Sequence, residues 1–437
     1  DVDTGQVKNT SMFGAQRLST ASFAGEIRAQ EGMPGRILDK YSKTPVSAVL
    51  YTGQAEESSY AGGEIAVDRY IANENSEDPL YSGKFEKVQG DNIFGENGIT
   101  LKKGQTMILN LGQNMTAIPE AEFSGKEGTV LTMQFAEMLN DGSSAGNGAT
   151  QADGPKGSLY QKSLRSARSA VRYTFAGREK EHYQTATSFF GYQYVGITAT
   201  DDVTIYSLRS RALSSVSDQT GYIETNNENV NKLFSNTLYG QLSNYFTTST
   251  DCPQRNERLL WTGDTQAFAQ TAVYNFDSVP FLNGLQEIFS ENAWIKGYAP
   301  AVADDLGGFF SNWAAGWSDV LVIDPWTLYL QTGDKGILEK NWDVMVHYMD
   351  YLQNNERGAD QAPIPNNARN FGDWLSFQGT SVEVIYDYYY GYMAQLMGKM
   401  AKIVGDQEKE AVYGQKFKAI KEKFLKTHVT FTNGSLT

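Results

Sequence analysis

The chain has 437 residues, 40% of them hydrophobic and 20% charged, which is the composition of a globular protein too long for one core, so two or three domains of about 150 residues are predicted. Its net charge is −14 with Lys and Arg scattered, which excludes nucleic acid as a partner because phosphate binding needs concentrated positive charge. No run approaches the roughly 18 apolar residues of a membrane span, and a single cysteine, Cys252, excludes an internal disulfide.

Asp1 opens a polar stretch with neither an initiator Met nor a charged-then-apolar leader. Any signal peptide is therefore expected to have been removed, and a secreted or periplasmic location is expected, with the cytoplasm as the alternative. Residues 1–45 show no clear period and are read as an irregular lead-in or the end of an upstream module. From 46 to 220 the period is two. Leu131, Met133 and Phe135 alternate with Thr132 and Gln134, and Met107, Leu109 and Leu111 alternate with polar neighbours. Short alternating runs bounded by Gly, Asn and Asp predict antiparallel sheets, hence a β-sandwich. Asn140 to Ser158 has no period and reads as a mobile loop.

From 221 to 437 the period is helical. Thr225 and Glu228 have capping-box spacing, followed by an apolar stripe of Val230, Leu233, Phe234, Thr237 and Leu238. Pro325 reads as a first helical residue and Gly333 as a helix stop. Ile337, Leu338, Met345, Met349 and Leu352 form the next stripe, and Val384, Ile385, Tyr388, Tyr392, Leu396, Met397 and Met400 another. Residues 409–427 form a last helix, for about seven in all. Long loops rich in Trp, Gly and Asp join them, as in scaffolds that build a site at one end.

Chemistry concentrates in DCPQRNERLLWTGD, Asp251 to Asp264. Pro253 excludes a smooth helix through its start. Acidic groups flanked by Arg and Trp have the parts of a tuned catalytic carboxyl, since apolar walls raise a carboxyl pKa and Arg lowers it. A bland alternative stands beside this: Asp264 caps a helix, Arg255 or Arg258 pairs with Asp251 or Glu257, and Cys252 is a small buried hydrophobe. Three scattered histidines (His182, His347 and His428) and no Cys cluster make a structural zinc unexpected, and no metal or other cofactor is expected. The 7 Trp, 25 Tyr and 22 Phe suit sugar stacking, although most aromatic residues fill cores.

This stretch resembles the signature of glycoside hydrolase family 78, the bacterial and fungal α-L-rhamnosidases, which reads approximately DCPQRDERLGWTGD. The chain departs from it at Asn256 and Leu260. NLGQNMTAIPEAEFSGKEGTVLTMQFAEML, FFGYQYVGI, AAGWSDV, DPWTLYLQTGD and FGDWLSF resemble further family segments in the family's order. The resemblance covers roughly residues 95–430. It implies a multidomain chain, an antiparallel β-sandwich followed by an all-α (α/α)6 toroid, with about the first half of the toroid present. It implies an inverting glycosidase that removes terminal α-L-rhamnose from glycosides or polysaccharides. Glu257 would be the general acid. Asp251, Arg255 and Asp264 would bind sugar hydroxyls, and Trp261, Trp317 and Trp374 would wall the sugar. Asp319 and Asp373 are weaker members, for which a capping role is as fitting. Trp313, Trp326 and Trp342 are read as core.

A toroid of six hairpins needs more than the about seven helices read here, and the family's general base is expected beyond Thr437. The remainder is expected in a missing C-terminal part or a second chain, and this chain alone is expected to be inert. Two further readings stay open: a non-catalytic carbohydrate-binding or interaction fragment, and a related toroid glycosidase acting on glucosides or unsaturated uronides.

Overall fold

The structure is a computed structural model that describes residues 33–52, 57–59, 66–68, 86–89, 92–141, 157–165, 167–303, 310–364, 371–432 and 435–436. Most of the lead-in, residues 1–32, and the centre of the glycine-rich loop, residues 142–156, lie outside the described residues. The strands in chain order are β1 (Arg36–Ile37), β2 (Ser47–Thr52), β3 (Glu57–Ser59), β4 (Ala66–Asp68), β5 (Glu86–Gln89), β6 (Ile99–Leu101), β7 (Gln105–Gly125), β8 (Val130–Ala136), β9 (Ala170–Thr174), β10 (Glu181–Gln184), β11 (Phe190–Ala199) and β12 (Val203–Ser214). Apart from the β3–β4 pair, they make one ten-stranded antiparallel sheet.

β7 organises this sheet. It is 21 residues long. Its first part pairs with β2 and β11, its last part with β10 and β12. A strand that long cannot stay flat, because twist accumulates along it, so the sheet curls over a core that includes Met107, Leu109, Leu131, Met133, Phe135 and Tyr192. The lead-in is less irregular than its sequence: β1 pairs with β12, and Leu38 and Tyr41 are buried. In β8 the predicted alternation holds for Leu131, Met133 and Phe135, but Thr132 and Gln134 are buried too. The second face is covered from a distance in sequence: Gln161 Nε2 donates to Gln134 Oε1 at 3.2 Å, and Leu159 packs with Ile108 and Ala136. The base of the glycine-rich loop is tied, since Asn140 N donates to Ser158 O at 2.8 Å and Gly157 N to Asn140 O at 2.8 Å.

Among the described residues seven α-helices follow: α1 (Glu228–Asn244), α2 (Thr262–Asn275), α3 (Val279–Lys296), α4 (Val320–Thr332), α5 (Lys335–Asn354), α6 (Val382–Val404) and α7 (Gln407–His428). α2 packs on α4 and α4 on α6, while α3 lies against α4 and α5, α5 against α6, and α7 against α6. None among the described residues is long and apolar enough to cross a membrane.

Several sequence expectations shift here. The cap of α1 is Asn227, whose side chain accepts from the N–H groups of Asn229 and Val230, while Thr225 bonds to Asn231. The apolar stripe of α1 is largely uncovered, with Val230 42% and Leu233 66% exposed. Only Gln241 and Leu242 are buried, at the end of the helix that leans on β7 and β12. α6 buries Tyr386, Tyr390, Met393, Leu396, Met397 and Met400 but leaves Tyr388 exposed, a rotation of the predicted stripe. The five α5 positions are buried as predicted, and Gly333 ends α4 at φ 69° with its N–H on Tyr329 O. Trp313 is buried, and Trp326 and Trp342 pack against the core.

Pro325 lies inside α4, not at its start. Proline has no N–H, so the Leu321 carbonyl four residues earlier loses its helical donor. Gln286 Nε2, from the buried face of α3, donates to that carbonyl at 3.2 Å. The side-chain amide thus stands in for the missing backbone amide. Gln286→Leu is expected to lower stability by about 1–3 kcal/mol, the penalty for orphaning a buried acceptor. The loss should shrink when Pro325→Ala restores the N–H. Denaturant unfolding of the four proteins of this cycle measures the coupling, and a loss independent of residue 325 would contradict the substitution of one donor for the other.

Beside it, Asp324 is fully buried, with no partner for either carboxylate oxygen among the described residues. Burial pushes its pKa up to about 8. Its folded value therefore lies above its unfolded value of about 4. The stabilising contribution is complete below pH 4 and is lost as pH rises through 8. Asp324→Asn should flatten the decline of stability between these pH values. It should exceed the wild type at pH 9 by on the order of a few kcal/mol. Thermal melts across pH test this, and an unchanged decline in the variant would refute it.

Candidate functional site

The chemistry-rich stretch is a loop that leads into α2. Before it, β13 (Tyr245–Phe246) and β14 (Thr248–Ser249) make a tight turn around Thr247, at φ 67°. Thr250 N then donates to Asn244 O at 2.8 Å. Arg258 fixes the loop: its Nε donates to Pro253 O at 2.8 Å, its Nη2 to Phe189 O at 2.9 Å, and its guanidinium lies over the Phe189 ring at 4.1 Å. The loop also presses on β11, where a Cβ on Gly191 would meet Gln254 Cβ at 2.8 Å. Only glycine allows that approach. Of the two departures from the family stretch, Leu260 is fully buried and Asn256 is exposed.

Within the loop the charges converge on Glu257. Arg255 Nη2 stands 2.7 Å from Glu257 Oε2 and 3.7 Å from Asp251 Oδ2. Arg165, from the turn before β9, donates through Nη1 to the same Glu257 Oε2 at 2.9 Å. Sequence reasoning missed Arg165, which nothing in its local sequence distinguishes. Burial by itself would raise the Glu257 pKa, but the Asp251 hydrogen bond and the Arg255 and Arg165 charges outweigh it and hold the carboxyl below its ordinary value. Asp251 moves the other way, raised by burial and by Glu257 beside it. Asp264, in the first turn of α2, is pushed up to about 6 by its crowded surroundings and by Asp251 and Glu257, although it keeps a solvent-facing side. Cys252 is half-buried rather than a core residue, with its thiol pushed up by burial and by Asp251. Ligand atoms of Asp251, Cys252 and Glu257 lie within 4.8 Å of one another. Two guanidinium groups already occupy Glu257 Oε2 in that cluster, which leaves little place for a cation.

The tryptophans meet through a residue the sequence did not single out. The Phe371 ring lies 4.6 Å from Trp317, 5.6 Å from Trp261 and 5.9 Å from Trp374, centroid to centroid. Phe310 adds to the cluster at 4.9 Å from Trp261. Gly263 makes room for Trp317, since a Cβ there would meet the indole Nε1 at 2.5 Å. Trp374 is 63% exposed, at the edge of the cluster. The weaker members are engaged within the protein. Asp319 is buried, accepting from Gly316 N at 2.6 Å and Tyr348 Oη at 2.7 Å, and its pKa is pushed up to about 6 by burial. Asp373 is exposed and accepts from Thr380 Oγ1 at 2.9 Å.

Four buried polar atoms of this loop and of the tryptophan cluster have no hydrogen-bond partner among the described residues: Asp251 Oδ1, Arg255 Nε, Trp261 Nε1 and Trp317 Nε1. Together they offer one acceptor and three donors beside aromatic faces, the pattern that receives a polyol with an apolar side. A cavity of about 450 Å³ opens between α1 and the start of α2, bordered by Asp251 and Asp264 as well as Asn244, Tyr245 and Phe268. Glu257 and the three tryptophans are outside its lining.

Residues 218–437 match the family model described as the bacterial alpha-L-rhamnosidase 6 hairpin glycosidase domain, and residues 100–214 the one described as the bacterial alpha-L-rhamnosidase concanavalin-like domain. An alpha-L-rhamnosidase of Formosa agariphila is 31% identical over 358 residues, covering 79% of this chain and 36% of its own length. One of Streptomyces avermitilis is 32% identical over 337 residues, covering 76% of this chain and 30% of its own. The chain thus spans about a third of the length of these curated relatives. The solved structure of the Streptomyces avermitilis alpha-L-rhamnosidase complexed with L-rhamnose superposes with a TM-score of 0.66 at 28% identity, over 82% of this chain and 35% of that one. The native Aspergillus terreus enzyme superposes at 0.67 and 23% identity, over 78% and 39%, and shares the fold. With both halves of the described fold matched by its domain models, the chain belongs to the bacterial alpha-L-rhamnosidase family.

Proposed function

We propose that this chain carries the acid side of an inverting α-L-rhamnosidase that removes terminal α-L-rhamnose from glycosides or polysaccharides. The observation that carries the reading is the ion cluster of Asp251, Arg255 and Glu257 in the same loop of a family member that leads to Trp261, whose ring meets Phe371. In this reading Glu257 protonates the glycosidic oxygen as the C–O bond breaks. A second carboxylate takes a proton from water attacking the opposite face of the sugar, at a separation of about 6.5–9.5 Å that leaves room for the water. We assign that base to the part of the relatives that this chain does not span. Asp251, Arg255 and Asp264 would hold hydroxyls, with the unpartnered Asp251 Oδ1 and Arg255 Nε supporting this. Trp261, Trp317 and Trp374 would wall the ring and its methyl. Asp319 and Asp373 are assigned to holding their loops, since their own surroundings engage them. The proposal also takes residues 46–220 as the sandwich and 221–437 as the first half of an (α/α)6 toroid.

One observation favours a second donor. Glu257 is held as an anion in this arrangement, whereas Asp264, at about 6, is the better proton reservoir. Leaving-group dependence separates the two, because an activated phenol needs little protonation. In the full-length enzyme, Glu257→Gln should lose at least about a hundredfold in turnover on an aryl α-L-rhamnoside with a poor leaving group, within the usual range of proton donation. It should lose less on an activated one, and Asp264→Asn should lose similarly on both. The reverse pattern would make Asp264 the acid, and equal losses for Glu257→Gln on both substrates would make its role structural.

A further inference from the structure

We propose that Arg165 is a positioning residue for Glu257, a removable counter-charge supplied from the sheet region to the carboxylate on the far loop. This rests on the reading of Glu257 as the acid only for its catalytic consequence. The contact itself stands on geometry. Arg165 and Arg255 donate to the same oxygen, Glu257 Oε2, at 2.9 and 2.7 Å. They are not equivalent. Arg255 is shared with Asp251 at 3.7 Å and its side chain is 26% exposed, whereas Arg165 is 53% exposed and contacts a carboxylate that is itself only 16% exposed. Arg165 can therefore swing into water and keep its own charge solvated, while Arg255 cannot leave without abandoning two carboxyls.

The backbone shows that the approach is built. Arg165 adopts φ 57° and ψ −116°, a conformation unfavourable for any residue with a Cβ. It is held there by the turn Lys162–Leu164, where Arg165 N donates to Lys162 O at 3.2 Å and the Leu164 side chain is buried. The groups facing Glu257 are Asp251, Cys252 and Arg255 from its own loop, Asp264 from α2, and Arg165; Glu137, just past β8, faces Arg255. Of these, Arg165 is the positive group that leaves without breaking the loop. With it in place Glu257 is ionised. With it gone, one of the charges that offset burial is lost, and the proton affinity of Glu257 rises while Arg255 and the Asp251 hydrogen bond still restrain it.

The test is a carboxyl ¹³C NMR titration of the chain with labelled glutamate, Glu257 being assigned from the signal lost in Glu257→Gln. The Glu257 midpoint should rise by about half a unit or more in Arg165→Gln, the lower part of the range for one opposing charge because the contact is partly exposed. Arg165→Lys should fall between. The wild-type midpoint should also climb between 0.05 and 1 M salt, as screening weakens an exposed pair. The Arg165→Gln midpoint should respond less. A midpoint unmoved by Arg165→Gln in a protein that melts like the wild type overturns the proposal, as does an equal salt response in both. In the full-length enzyme the basic limb of kcat/KM should move upward with the midpoint. A midpoint that moves while the limb stays would uphold the role of Arg165 and reject Glu257 as the acid.

Discussion

The guanidinium of Arg258 keeps the charged loop where the site needs it. It closes the loop on itself through the Pro253 carbonyl and ties it to the sheet through the Phe189 carbonyl and ring. A delocalised, weakly hydrated cation can be half-buried against carbonyls and an aromatic face where an ammonium would be costly. Because Arg258 spends its donors on backbone, the loop's carboxyls are left to Arg255 and Arg165. The backbone of Arg258 is left-handed at φ 49°, and Gly191 lets Gln254 lie flat on β11. Both features belong to one constraint, a short non-helical segment pressed between the sheet and the start of α2.

That constraint packs three carboxyls, a thiol and two guanidinium groups into a small volume. Carboxyls so close cannot all ionise at ordinary cost, so proton affinities spread apart: Glu257 low, Asp251 and Asp264 high. A spread of this kind is what acid–base chemistry on sugars uses. Asp324 is the contrasting case. It is raised still further, to about 8, by burial, neither of its carboxylate oxygens has a hydrogen-bond partner among the described residues, and its effect falls on stability rather than on the site.

Much of this was legible in the sequence, and the reason is contiguity. Asp251, Arg255, Glu257, Trp261 and Asp264 occupy one stretch whose polar and aromatic density has few uses in a core, and the two-to-helical change of period marks where sheet gives way to helices. What escaped the sequence is made by the fold. Arg165 is 92 residues from Glu257 and sits among ordinary surface residues. Phe371 looked like one more apolar residue, yet three indoles from three loops meet on its ring. Pro325 read as a helix start because sequence cannot show that Gln286, from another helix, replaces the lost donor. The stripes of α1 and α6 gave the helices correctly but not the covered face, which depends on neighbours.

The central claim is that the unpartnered polar atoms around this loop form a rhamnose site. A crystal structure of the protein soaked with L-rhamnose tests it most directly. The account predicts sugar hydroxyls in hydrogen-bond contact with Asp251 Oδ1 and Arg255 Nε, the indole N–H groups of Trp261 and Trp317 newly partnered, and the sugar's methyl against the tryptophan cluster. L-rhamnose bound elsewhere, with those four atoms still unpartnered, would contradict it.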